Sequence, residues 1–121
     1  MALANEAVMI GEAATKSGAQ GAIVWSVALL RRARVELAGQ RPADADADAL
    51  RAVGVLKPTI ESGCCSANLG NAYLTLARAR QAQGALGGAR SAAQLAVDQF
   101  MTSVGADNPA TNTARELALG H

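Results

Sequence analysis

Apolar side chains recur along this chain at intervals of three and four residues, which is the period of an α-helix. The clearest pattern predicts a helix that opens at Gly87-Gly88 and runs to about Ser103. Its predicted inward positions are Ala89, Ala93, Ala96, Val97 and Phe100. Because the three alanines share one helix face and have small side chains, a neighbouring helix can approach that face closely.

One helix is predicted on each side of this one. The preceding helix covers about residues 66–83, and Gly84 ends it. The positions along one of its sides are Leu69, Ala72, Tyr73, Leu76, Ala77 and Arg80. After the helix that ends near Ser103, the turn Asp107-Asn108-Pro109 leads into a last helix over residues 110–119.

The first 40 residues predict two further helices. Residues 1–18 form a lead helix in which Leu3, Ala7, Ile10 and Ala14 recur at helical spacing. Residues 22–38 form the next one, and Gly39 ends it. Its predicted stripe is Ile23, Val27, Leu30, Arg34 and Leu37. Its polar face is expected to contain Arg31, Arg32 and Glu36.

A helix that begins near Pro42 is expected to stop or kink near Lys57, because Pro58 follows it. Asp44, Asp46 and Asp48 lie in its first turns, where unpaired backbone N–H groups favour carboxylates. Its alanines at positions 45, 49 and 52 repeat the spacing of those at 89, 93 and 96. Two units of similar pattern suggest that helix pairs stack on one another.

These elements predict an all-α protein of five or six short helices, arranged as antiparallel pairs in a single domain over residues 1–121. Within it we expect a lead helix over 1–18, a degenerate repeat over 20–63, a clearer repeat over 66–105 and a terminal helix over 109–119. The chain is of a size that can bury about two-thirds of its unfolded surface.

Composition and charge narrow the classes of partner. Trp25, Tyr73 and Phe100 are the only aromatic residues, and the formal net charge is +1, so we expect neither stacking on bases nor binding to nucleic acid. The longest apolar run, residues 22–30, is far shorter than the ~20 residues of a membrane-spanning helix, so no membrane partner is expected. The N-terminus lacks the basic segment of a secretory signal, and we therefore expect a cytoplasmic protein.

No set of residues in the sequence indicates catalysis, a metal or a cofactor. Cys64 and Cys65 are adjacent, and the only histidine is the terminal His121, so we interpret the thiols as reduced and incidental. The aspartates at 44, 46 and 48 could suggest a calcium loop, but the glycine and the final bidentate glutamate of such a loop are missing. Without a histidine base near a serine or threonine, an enzyme is not expected.

The spacing in the second half of the chain resembles the tetratricopeptide repeat family, whose common unit is two helices in about 34 residues. The residues that carry the resemblance are Tyr73, Leu76, Ala77, Gly84, Ala89, Ala93 and Ala96. The turn also resembles the one in the longer repeats of kinesin light chains, through Gly105, Asp107, Asn108, Pro109 and Thr111. Leu76 and Leu117 are 41 residues apart, as expected for that longer unit.

The resemblance implies an α-solenoid fragment that acts as a non-enzymatic scaffold and holds a peptide or protein on the surface of its first helices. It implies that Asn71, Arg78 and Gln81 belong to this partner-binding surface. One alternative is a plain alanine-rich bundle without a peptide groove. Another is a self-assembling module, since stacked helix pairs have apolar ends that a homodimer through the terminal helices would cover.

Overall fold

A computed structural model describes Asn5, residues 19–59 and residues 66–120. In these residues the chain forms five α-helices: α1 (Ala19–Ala38), α2 (Pro42–Leu56), α3 (Ala67–Ala82), α4 (Leu86–Ser103) and α5 (Pro109–Ala118). A short 3₁₀ helix, Lys57–Thr59, follows α2. The described part of the chain contains no β-strand, and the predicted all-α class is confirmed.

Local chemistry explains where several helices begin and end. Pro42 occupies the first turn of α2, where its missing N–H costs no hydrogen bond, and Pro58 lies just beyond the end of the same helix. The side chain of Ser66 caps α3 by accepting from the backbone N–H of Leu69 at 3.3 Å. The side chain of Asn108 caps α5 by accepting from the N–H of Ala110 at 2.9 Å.

Each helix packs against the next one, and α1 also contacts α3. The short connections 39–41 and 83–85 make α1 and α2, and likewise α3 and α4, antiparallel neighbours. Leu29, Leu56 and Phe100 are among the largest fully buried side chains of the core. The described part of the chain therefore consists of two helix pairs in contact, with α5 packed against α4.

The predicted small-residue faces lie inside the core. Ala45, Ala49 and Ala52 of α2 are fully buried. Ala93 and Ala96 of α4 are also fully buried, and Ala89 is almost completely buried. Their burial confirms the inward faces predicted for these two helices, and it explains why alanine recurs there, since a methyl group permits a short distance between helices.

The predicted stripe of α1 is partly wrong. Val27 and Arg34 are exposed, and the buried face instead includes Ser26, Leu29 and Ala33. Glu36 was expected on the polar face but is only 5% exposed. The reason is that α1 contacts both α2 and α3, so its buried surface is wider than one stripe and lies at a different angle around the helix.

Several predicted features lie outside the described residues: the lead helix with Leu3, Ala7, Ile10 and Ala14, the thiols of Cys64 and Cys65, and His121. Among the helices that the structure does describe, none combines the length and the apolar character that crossing a bilayer requires.

Candidate functional site

The two helices that open the helix pairs, α1 and α3, lie side by side with a shallow groove between them. The groove contains a cavity of about 70 Å³. Its lining residues are Ser26, Val27, Leu30 and Arg34 of α1, and Asn68 and Asn71 of α3. The described lining residues thus combine two carboxamides, one guanidinium, one hydroxyl and two aliphatic side chains.

The start of α3 fixes the two groove asparagines. The backbone N–H of Ser66 donates to Oε1 of Gln99 on α4 at 2.9 Å, and the Ser66 hydroxyl caps α3. The first bond ties the start of α3 to α4, and the second stabilises the first turn of α3. Asn68 and Asn71 follow within the first two turns, so their positions relative to α1 are set by this anchor.

The hydroxyl groups in and beside the groove are already engaged within their own helices. Ser26 Oγ donates to the carbonyl of Ile23 at 2.8 Å, and Thr75 Oγ1 donates to the carbonyl of Asn71 at 2.8 Å. Among the described residues, the carboxamides of Asn68 and Asn71 have no comparable side-chain hydrogen bond. Each carboxamide can therefore both donate to and accept from a ligand backbone.

The predicted partner-binding residues all lie on α3 but not all in the groove lining. Asn71 is half-buried and lines the cavity. Arg78 lies seven residues later, on the same face of the helix, and is exposed. Gln81 is also exposed, at the C-terminal end of α3. The structure thus brings Asn71 together with α1, whereas Arg78 and Gln81 lie further along the exposed face.

Arg34 belongs to this groove, although the sequence pattern placed it in an apolar stripe. The Arg34 side chain lines the cavity and is exposed to solvent. A charge inside an otherwise apolar stripe was the available signal, because a guanidinium at such a position has to reach solvent or a ligand. The hydrophobic pattern of α3 did not identify Asn68 as a groove residue.

A second charged cluster joins α1 to α2 away from the groove. The Arg32 guanidinium donates to both carboxylate oxygens of Asp48, at 2.7 and 2.6 Å. Burial, followed by the hydrogen bond and charge of Asp48, raises the pKa of Glu36 to about 8, so the Glu36 carboxyl is protonated at neutral pH. Burial acts to raise the pKa of Asp48 too, but hydrogen bonds from Arg32 and Glu36 lower it on balance.

All three aspartates of α2 bind side chains of the chain itself. Besides the pair of Asp48 with Arg32, Asp44 forms an exposed ion pair with Arg41 at 2.6 Å. Asp46 accepts from Nε2 of Gln83 at 2.8 Å and lies 3.7 Å from Nε of Arg80. Asp48 therefore connects α2 to α1, and Asp46 connects α2 to α3. These contacts are additional to the expected stabilisation of the N-terminus of α2 by carboxylates. No three His, Cys, Asp or Glu side chains in the described ranges are placed to hold a metal ion.

A wider groove lies at the other end of the molecule, between α4 and α5. It encloses about 270 Å³ and is lined by Gln94, Val97, Arg115, Ala118 and Leu119. Leu119 is 72% exposed, the highest value among the large apolar side chains of the described residues. Among the described residues, this groove is a further concave surface, beside an exposed apolar side chain.

Comparisons of the chain with protein-family models, with curated proteins and with solved structures give no match.

Proposed function

We propose that the protein is a non-enzymatic interaction scaffold of the tetratricopeptide repeat type, which binds an extended peptide segment of a partner protein in the groove between α1 and α3. The observation that carries the proposal is the pair of free carboxamides, Asn68 and Asn71, fixed at the rim of that groove. An extended peptide exposes backbone N–H and C=O groups at regular intervals, and carboxamides can bind both.

The repeat interpretation draws support from the helix order and from a sequence pattern of the family. Each helix pair joins its neighbour through contacts of α3 with both α1 and α2. The family pattern of Leu-Gly, then Tyr three residues after the Gly, reads here as Leu69-Gly70 and Tyr73. The alanine positions of the family's second helix are read here as Ala89, Ala93 and Ala96, which lie in α4. As part of the same proposal we assign a protein partner rather than nucleic acid, and a cytoplasmic location.

Selection from a phage-displayed library of random dodecapeptides on the immobilised protein tests this function. We expect enriched peptides whose binding weakens at least severalfold for Asn71→Ala, because a lost pair of backbone hydrogen bonds is not replaced. Asn112→Ala, at an exposed carboxamide of α5 that lines neither described groove, is the matched control and should bind as the wild type does. Absence of enrichment, or equal binding to Asn71→Ala, would reject the function.

A second candidate is self-assembly into a homodimer through the terminal helices. The observation that favours it is the open α4–α5 groove beside the exposed Leu119, since a self-complementary apolar surface is commonly buried at a two-fold axis. Light scattering over a range of concentrations should then give a dimer mass that Leu119→Asp reduces to a monomer mass. Leu86→Asp, at an exposed leucine at the start of α4, should leave the dimer intact.

A further inference from the structure

We infer that Met101 is a site of reversible oxidation at the contact between α4 and α5. A hydroperoxide oxidises the Met101 thioether to the sulfoxide, and the Arg115 guanidinium binds the new oxygen atom. The inference does not depend on the proposed function. It rests on the hydrogen bond that the sulfur accepts, on the exposure of Met101 and on the position of Arg115.

The sulfur of Met101 accepts a hydrogen bond from α5. Nη2 of Arg115 donates to Sδ of Met101 at 3.0 Å, and Nη1 of the same guanidinium donates to the carbonyl oxygen of Ala106 at 3.5 Å. In the described ranges, Arg115 forms no ion pair with a carboxylate. A guanidinium is a charged, strong donor, whereas a thioether is a weak acceptor. A stronger acceptor at the position of the sulfur would therefore strengthen the contact.

Met101 is accessible to small oxidants. The residue is 42% exposed and lies in the last turn of α4, which ends at Ser103. Arg115 engages one lone pair of the sulfur, and a second lone pair remains for reaction. Methionine oxidation to the sulfoxide is a common reaction of proteins with oxidants, and methionine sulfoxide reductases reverse it.

The oxidation transfers one oxygen atom and two electrons. The second lone pair of Sδ attacks one oxygen of the hydroperoxide, so that the O–O bond breaks as the S–O bond forms. The leaving oxygen takes the proton from the oxygen that is now bound to sulfur, which gives water from hydrogen peroxide or an alcohol from an organic hydroperoxide. The sulfur of Met101 is oxidised and the peroxide is reduced.

The sulfoxide oxygen can take the place of the sulfur as the acceptor for Arg115. The methionine side chain has three rotatable bonds, so the oxygen can turn towards Nη2 of Arg115. In a core the polar sulfoxide disrupts packing, but at an exposed position it stays in contact with water. Oxidation should therefore stabilise the contact of α5 with α4. Because Arg115 also lines the α4–α5 groove, the oxidation state of Met101 acts on that surface as well.

Treatment of the purified protein with hydrogen peroxide tests the inference, with mass spectrometry of the tryptic peptide 91–115 and thermal unfolding as readouts. We expect this peptide to gain the mass of one oxygen atom, and the unfolding midpoint to rise by roughly 2–5 °C, as for one strengthened hydrogen bond. Reduction by methionine sulfoxide reductases should return the midpoint to its starting value. Met101→Leu is the matched control for oxidation elsewhere in the chain, because leucine has a similar volume and no sulfur. Peroxide should not raise the midpoint of this variant.

Arg115→Leu removes the donors and should abolish the rise in the wild-type midpoint, whereas Arg115→Lys keeps a cationic donor and should retain part of it. The inference is overturned if peptide 91–115 stays unmodified under conditions that oxidise free methionine in the same solution. An equal rise in the wild type and in Arg115→Leu would overturn it too. So would a midpoint that falls or stays constant in the oxidised wild type relative to oxidised Met101→Leu, a comparison that does not require Arg115→Leu to fold.

Discussion

A Cβ atom at Gly70 of α3 would lie 2.6 Å from Cε1 of Phe100 on α4, closer than two carbon atoms can approach without displacement. Phe100 is almost completely buried and packs in the main core. The ring occupies the volume that a side chain at position 70 would need. The contact of α3 with α4 at this end of the pair thus depends on glycine at one position and on phenylalanine at the other.

Gly70→Ala should therefore destabilise the protein, although alanine favours a helix by up to about 1 kcal/mol over glycine. We expect a net loss of about 1–3 kcal/mol in the free energy of unfolding, measured by urea denaturation. Gly54→Ala is the control, because Gly54 is exposed within α2 and nothing lies within 4 Å of its added Cβ. It should gain about 0.5–1 kcal/mol. If Gly70→Ala and Gly54→Ala change the free energy of unfolding equally, the Phe100 ring does not restrict position 70.

Ala93→Leu tests the closely packed alanine face of α4. Ala93 is fully buried, so three extra carbon atoms force the neighbouring helix to move. The expected cost is on the order of 1–3 kcal/mol in thermal or urea unfolding. Ala47→Leu, at an exposed position of α2, should change stability by less than about 0.5 kcal/mol. An unchanged unfolding midpoint for Ala93→Leu would contradict close packing at this face.

The raised pKa of Glu36 makes stability depend on pH. The folded protein keeps the proton up to about pH 8, whereas the unfolded chain releases it near 4.5, so the folded state binds more protons between these values. Stability should therefore fall as pH rises through that window, by at most about 1.4 kcal/mol per pH unit for one proton. The lowered pKa of Asp48 acts in the opposite sense and only at lower pH.

Glu36→Gln should abolish this decline, because the carboxamide can donate to Asp48 but does not titrate. Unfolding free energies measured at several pH values between 5 and 8 would be nearly constant for the variant, after allowance for other groups. Glu116→Gln, an exposed glutamate of α5, should retain the wild-type slope. If Glu36→Gln keeps that slope as well, the buried carboxyl is not the titrating group.

The pair of Arg32 with Asp48 should stabilise the fold more than the exposed pair of Arg41 with Asp44. Only 9% of the Asp48 side chain is exposed, compared with 50% for Asp44. Asp48→Asn should cost about 1–3 kcal/mol in unfolding free energy, because Arg32 loses a bidentate partner in a half-buried site. Asp44→Asn should cost less than about 1 kcal/mol. Equal losses in the two variants would show that burial does not distinguish the pairs.

The sequence predicted the elements that depend on local signals. Pro58 indicated where α2 ends, and helical spacing identified the inward alanines of α2 and α4. It failed where the environment of a residue is set by a distant helix. Glu36 looks polar in its own helix, and its burial depends on contact with α2. Likewise, the close contact of Gly70 becomes visible only when Phe100 is placed against it.

The candidate groove could be predicted only in part for the same reason. Asn71 was assigned through a family resemblance, and it lies beside α1 in the structure. Arg34 was missed because periodicity gives the angle of a residue around its own helix but not which neighbouring helix covers that angle. Because α1 packs against both α2 and α3, its exposed residues are not simply those on the side opposite the predicted apolar stripe.

The side-chain amide signals of the protein in ¹⁵N NMR test the peptide-binding groove most directly. The titrating ligand is a synthetic peptide enriched on the wild-type protein. We predict saturable shifts of the Asn68 and Asn71 carboxamide signals, because these groups would bind the peptide backbone, with little change for Gln94 in the α4–α5 groove. Shifts confined to Gln94 and its neighbours, or no saturable shift at Asn68 and Asn71, would contradict binding between α1 and α3.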